Sequence, residues 1–62
     1  MNVEDSKGNM IKLGDKVTLA IAEATFTLIH DSSRGLCFYT NQAGLEAYVN
    51  IEDAKTYGVE LV

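Results

Sequence analysis

The stretch from Asp5 to Leu19, Asp-Ser-Lys-Gly-Asn-Met-Ile-Lys-Leu-Gly-Asp-Lys-Val-Thr-Leu, constrains the fold more than any other part of the chain. Two turn signals bracket a short apolar segment, and a second apolar segment leaves directly behind them. Gly8 and Asn9 both tolerate positive φ, so Ser6–Asn9 reads as a turn. Met10–Leu13 then reads as a short strand and Leu13–Lys16 as a second turn. From Lys16 to Ala22, the apolar residues Val17, Leu19 and Ile21 alternate with Thr18, Ala20 and Ala22. Alternation at period two marks a strand with one buried face. Such short segments, each closed by a turn, build a small β structure.

The pattern continues along the chain. Glu23–Ala24 is expected to connect to a strand over Thr25–Asp31. There Phe26, Leu28 and His30 share one face and Thr25, Thr27 and Ile29 the other, and the sequence leaves open which face is buried. Asp31–Gly35, polar and closed by Gly, is the clearest turn. Leu36–Thr40 returns, Asn41–Gly44 turns again, and Leu45–Ile51 sets Leu45, Ala47, Val49 and Ile51 against Glu46, Tyr48 and Asn50. Glu52–Tyr57 breaks the alternation and predicts one turn of 3₁₀ or α helix, its early acids favoured by the helix dipole. Gly58 ends it, and Val59–Val62 is a last strand. Val17–Phe26 and Leu45–Lys55 also permit helix, but their apolar positions fit period two better. The expected fold class is all-β: five to six strands with one short helical turn before the last strand, in a single domain over residues 1–62.

Composition narrows the functions open to such a chain. With 62 residues it buries only about 60% of the surface its unfolded form exposes. Its single Cys37 forms no internal disulfide and fits a reducing compartment. The sole His30 has no second histidine and no Cys-x-x-Cys beside it, which argues against zinc. No cofactor is expected. The start, Met1–Asp5, is acidic and unlike a signal peptide. The run Val17–Ala22 is far short of the roughly 20 apolar residues that a membrane span needs. These features lead us to expect a cytoplasmic protein without a membrane partner.

Nine acids oppose five Lys and Arg, for a net charge of −4. Nucleic-acid surfaces cluster their bases, because neutralising phosphates supplies most of the non-specific affinity. A nucleic-acid partner is therefore disfavoured, and its only candidate contacts are Lys7, Lys12, Lys16 and Arg34. The simpler reading of the three lysines is charge on strand edges, which discourages pairing between molecules.

His30-Asp31 beside Ser32-Ser33 supplies the residue types of a hydrolytic triad. A triad is defined by geometry and a pocket, and a β structure this small has little room for one. Cys37 beside Phe38 reads as a small core hydrophobe, with only Arg34 near enough in sequence to activate it. Gly8 and Gly14 lack the Gly-Lys-Ser/Thr of a phosphate loop. An enzyme is not expected. Tyr39, Tyr48 and Tyr57 remain as candidate partner-binding residues, since tyrosine is enriched at interfaces. A protein partner is expected, and a homodimer formed by edge-strand pairing is also open.

The order of elements resembles an SH3-like barrel. Asp5-Ser6-Lys7-Gly8-Asn9 followed by Leu13-Gly14-Asp15-Lys16-Val17-Thr18-Leu19 looks like the opening of KOW-type domains, and like the start of the carboxy-terminal domain of PhnA-type proteins. Ile51-Glu52-Asp53-Ala54 leading into Val59-Glu60-Leu61-Val62 is similar to the helical turn and final strand of such barrels. Small prophage-encoded proteins of this size share the fold. The resemblance implies a five- to six-stranded SH3-like barrel. Functionally the chain departs from these families, being acidic where KOW domains are basic and lacking the PhnA-type zinc ribbon. Fold alone does not carry a function across.

Overall fold

A computed structural model describes residues 3–42 and 44–62. In chain order its elements are β1 (Val3–Glu4), β2 (Met10–Ile11), β3 (Lys16–Leu19), β4 (Ala22–Asp31), β5 (Gly35–Gln42), β6 (Leu45–Asn50), α1 (Ile51–Tyr57) and β7 (Val59–Leu61). The class is all-β with one short helix before the last strand. The described strands form two sheets, a β1-β2 pair and a five-stranded sheet in the order β6-β5-β4-β3-β7. Among the described residues strand pairing does not run in a closed ring, and β1 adds a strand to the five or six expected.

The opening segment folds as its turn residues dictate. Val3 pairs with Ile11, and both are buried in the core. The loop between them is organised by Asp5. Its carboxylate accepts the Lys7 N–H at 3.0 Å, the Asn9 N–H at 2.7 Å and the Asn9 side-chain amide at 3.1 Å. Burial pushes this carboxyl up, but the hydrogen bonds from Asn9 and Lys7, with a further pull from the Leu61 N–H, outweigh it and hold it below its ordinary value. β2 ends at Ile11, earlier than expected, because Lys12–Asp15 is a tight turn. Asp15 N–H donates to the Lys12 carbonyl at 2.9 Å, and the Asp15 carboxylate accepts the Lys12 N–H at 2.9 Å. Gly14 takes φ 92°, a region costly for other residues, and Leu13 is left exposed.

β3 is also shorter than its pattern implied. It stops at Leu19, and Ala20–Ile21 make the connection to β4, with Leu19 opposite Ala22. Ile21, expected beside Val17 and Leu19 in the core, is 62% exposed. Glu23–Ala24 are not a connection: they lie within β4, where the pairing register shifts between Thr18 and Leu19. Such a bulge bends the strand and tightens the sheet's twist.

Alternation decides the faces. Val17 and Leu19 on β3, Phe26 and Leu28 on β4, Phe38 on β5 and Val59 on β7 point inward, joined by Val3, Ile11, Ile51 and Ala54. The question left open for Thr25–Asp31 is answered: Phe26 and Leu28 are buried and Thr25, Thr27 and Ile29 face outward. β5 runs on to Gln42, so Asn41 and Gln42 belong to the strand rather than to the turn, and Ala43 lies outside the described residues. Ile51, expected to end β6, instead begins α1. Asn50 caps that helix by accepting the Asp53 N–H at 2.8 Å, and α1 ends at Gly58, at φ 86°.

The sheet has two edges, β6 and β7. The Asp5–Ser6 loop covers part of β7, because the Val59 carbonyl accepts both the Ser6 N–H at 2.8 Å and the Ser6 hydroxyl at 2.7 Å. Of the three lysines, only Lys7 lies at a sheet edge, beside Glu60 on β7. Lys16 sits on β3, which is paired on both sides, Lys12 lies in a turn, and Lys7 faces Glu60 at 3.7 Å.

Candidate functional site

The outer face of the five-stranded sheet has no layer over it among the described residues, yet it is not uniformly polar. β5 turns Cys37, Tyr39 and Asn41 outward while Phe38 and Thr40 face the core. Cys37 is only 1% exposed, and its cross-strand neighbour Ile29 is half-buried. Burial pushes the Cys37 thiol up, the Asp31 charge adds to this, and Arg34 opposes it only in part. That leaves it a poor nucleophile.

Next to Cys37 lies the aromatic centre of the face. Tyr39 on β5 stands directly opposite Tyr48 on β6, with ring centroids 4.9 Å apart and planes tilted by 45°. The Arg34 guanidinium, from the β4–β5 turn, lies 4.0 Å above the Tyr48 ring. Tyr39 donates its hydroxyl proton to Glu46 at 3.2 Å. Burial, then the Glu46 charge and hydrogen bond, push the Tyr39 hydroxyl above its ordinary range, so it stays protonated as a donor.

Asp31 fixes the turn that presents Arg34. Its carboxylate accepts the Ser33 N–H at 2.9 Å and the Arg34 N–H at 3.0 Å. These two bonds, with the Arg34 charge, hold it below the usual carboxylate value against some burial. The Arg34–Asp31 side-chain contact is 3.6 Å, with Arg34 exposed and Asp31 half-buried. Exposed ion pairs contribute about 0–1 kcal/mol and exposed cation–π contacts about 0.5–1 kcal/mol. Neither locks Arg34, so a ligand offering it a better partner can move it at little cost to the fold.

The sheet register extends this centre into a row. Lys16 on β3 faces Thr27 on β4, Thr27 faces Tyr39, and Tyr39 faces Tyr48. At about 4.8 Å per strand, Lys16 stands about 10 Å from Tyr39 along the row. Between them is a shallow depression of about 530 Å³ whose lining includes Lys16, Thr27, Tyr39, Asn41 and Gln42.

Of the three candidate tyrosines, the fold thus brings Tyr39 and Tyr48 together, while Tyr57 lies at the end of α1, outside the ring contact. Of the four candidate basic residues, Arg34 and Lys16 flank the tyrosines, and Lys7 and Lys12 do not join them. His30 and Asp31 fall on opposite faces of β4 by alternation, so the triad-like run is not assembled. No group of three His, Cys, Asp or Glu side chains among the described residues is placed to hold a metal. No described helix is long and apolar enough to cross a membrane. No family model matches the chain, and no curated protein or solved structure matches it.

Proposed function

We propose that this chain is a small, non-enzymatic protein-interaction module of the cytoplasm, SH3-like in layout, that binds a partner through the outer face of its sheet. The observation that carries this reading is the Tyr39–Tyr48 pair under Arg34. Two half-buried aromatic rings and a loosely held guanidinium sit on a face that the core does not use. Tyrosine and arginine are the residue types that concentrate binding energy at protein interfaces. The β3–β6 meander, the helix after it and the return of β7 to β3 support the SH3-like layout.

A photo-crosslinking benzoylphenylalanine in place of Tyr48 is expected to trap a discrete partner in cells, and the same group in place of the exposed Leu13 is not. Equal trapping at both positions, or none at Tyr48, would remove the proposal. The reading includes self-association, because β6 and β7 are both sheet edges and the Ser6 loop covers only part of β7. Sedimentation at two concentrations tells whether a second copy uses either.

A second reading, nucleic-acid binding, is favoured only by Lys16 and Arg34 at opposite ends of the tyrosine row. Glu46 and Asp31 hold acidic charge on the same face, and the chain as a whole carries −4. A salt titration against short single strands decides it: no affinity at low salt ends this reading.

A further inference from the structure

Arg34 also borders an open cleft of about 710 Å³ between the β4–β5 end of the sheet and the start of α1. The topology explains its contents. His30 continues the inward face of β4 beyond the core, so it is exposed, and it pairs across the strands with half-buried Leu36. On α1, Ile51 and Lys55 are four residues apart and share one side of the helix. Leu36 and Ile51 therefore give the cleft aliphatic side chains, and His30, Arg34 and Lys55 stand around them. Glu52 is the only acid in its lining.

This charge arrangement departs from the rest of the molecule. The cleft holds two of the five Lys and Arg and the only His, against one of the nine acids. With Asp31 3.6 Å from Arg34, two cations there face two acids, so the cleft is close to neutral on an acidic protein, with Lys55 in no ion pair among the described residues, around an apolar seat. Arg34 keeps guanidinium N–H groups for a ligand, since its contact with Asp31 is long and made through one nitrogen.

We infer that this cleft receives an acidic peptide segment of a partner protein, with one apolar side chain against Leu36 and Ile51 and flanking carboxylates on Arg34 and Lys55. The cations select against a basic peptide. The aliphatic seat selects against nucleic acid, whose single strands bind by stacking bases on aromatic rings, and no aromatic residue lines this cleft. The inference rests on the reading of the chain as a binding module, and the cleft shares Arg34 with the tyrosine surface, since that guanidinium also stands over Tyr48.

The test is a titration of ¹⁵N-labelled protein with the blocked peptide acetyl-Glu-Glu-Leu-Glu-Glu-amide, followed by NMR amide shifts. Saturating shifts at His30, Leu36, Ile51 and Lys55 are expected in the low-millimolar range or tighter. Lys55→Gln should weaken the peptide by about fivefold, as should Leu36→Thr. Lys12→Gln, a charge change in a turn outside the cleft, should leave its affinity unchanged. The lysine counterpart of the peptide should produce no shifts. Four results would overturn the inference: no shifts up to about 5 mM, shifts confined to Tyr39 and Tyr48, tighter binding of a short oligothymidylate at the same amides, or cleft shifts that follow protein concentration without peptide, which would make a second copy the occupant.

Discussion

Phe38 has no exposed surface and stands between Leu28 on β4 and Val49 on β6. Truncating a buried phenylalanine costs about 3–5 kcal/mol, a large share of the roughly 5–15 kcal/mol that holds a domain folded. Phe38→Ala is expected to lower the unfolding free energy by about 3–5 kcal/mol, as read from urea melts followed by circular dichroism. Asp5 and Asp31 set the acid limit. Both carboxyls lie below their ordinary 3.8 when folded, so the folded chain binds protons less readily than the unfolded one. The stability they add is present above that value and is lost as pH falls through the lower folded values. The melting temperature should be flat near neutral pH and fall below about pH 4, and Asp5→Asn should remove part of that slope. Cys37 gives a third prediction: buried and with its thiol pushed up, it should resist Ellman's reagent in native protein and react on denaturation.

Elements were legible in the sequence where a residue type enforces a backbone shape. The turns at Gly8, Gly14 and Gly35 and the helix stop at Gly58 fall where the glycines stand, each at positive φ. The Ala20–Ile21 connection carries neither Gly nor Asn, and so its alternation runs on unbroken into Ile21. The β5–β6 hairpin shows how a small misplacement hides a site. A four-residue turn over Asn41–Gly44 would set Tyr39 opposite Glu46. The structure pairs Gln42 with Leu45, which moves Tyr48 opposite Tyr39. The aromatic pair therefore depends on turn length, which the sequence leaves loosely defined. Its cover by Arg34 and the cleft beneath α1 are tertiary, and no local pattern announces them. The helix start was read from Glu52 and Asp53, but the cap is Asn50. Asn50→Ala should cost about 1 kcal/mol, measurable as a shift in the urea midpoint without a change in slope.

The whole molecule divides its work between two faces of one sheet. The inward face, with β1, β2 and α1 around it, makes the core from ten buried side chains. The outward face holds the buried Cys37 beside the half-buried Tyr39 and Tyr48, and neither tyrosine belongs to that core. In a domain this small, aromatic surface placed outside the core is surface held back from the core, which is why we propose it for recognition. The opening lysines carry little of this: only Lys16 reaches the tyrosine row, from an interior strand. The most direct measurement pairs stability with binding in one variant. Tyr39→Ser with Tyr48→Ser gives up one aromatic pair and one cation–π contact, so it should lower the melting temperature by about 5–20 °C, leave the protein folded at 25 °C, and abolish capture of the partner trapped at position 48. A protein unfolded at 25 °C, or a partner retained at full affinity, would contradict the account.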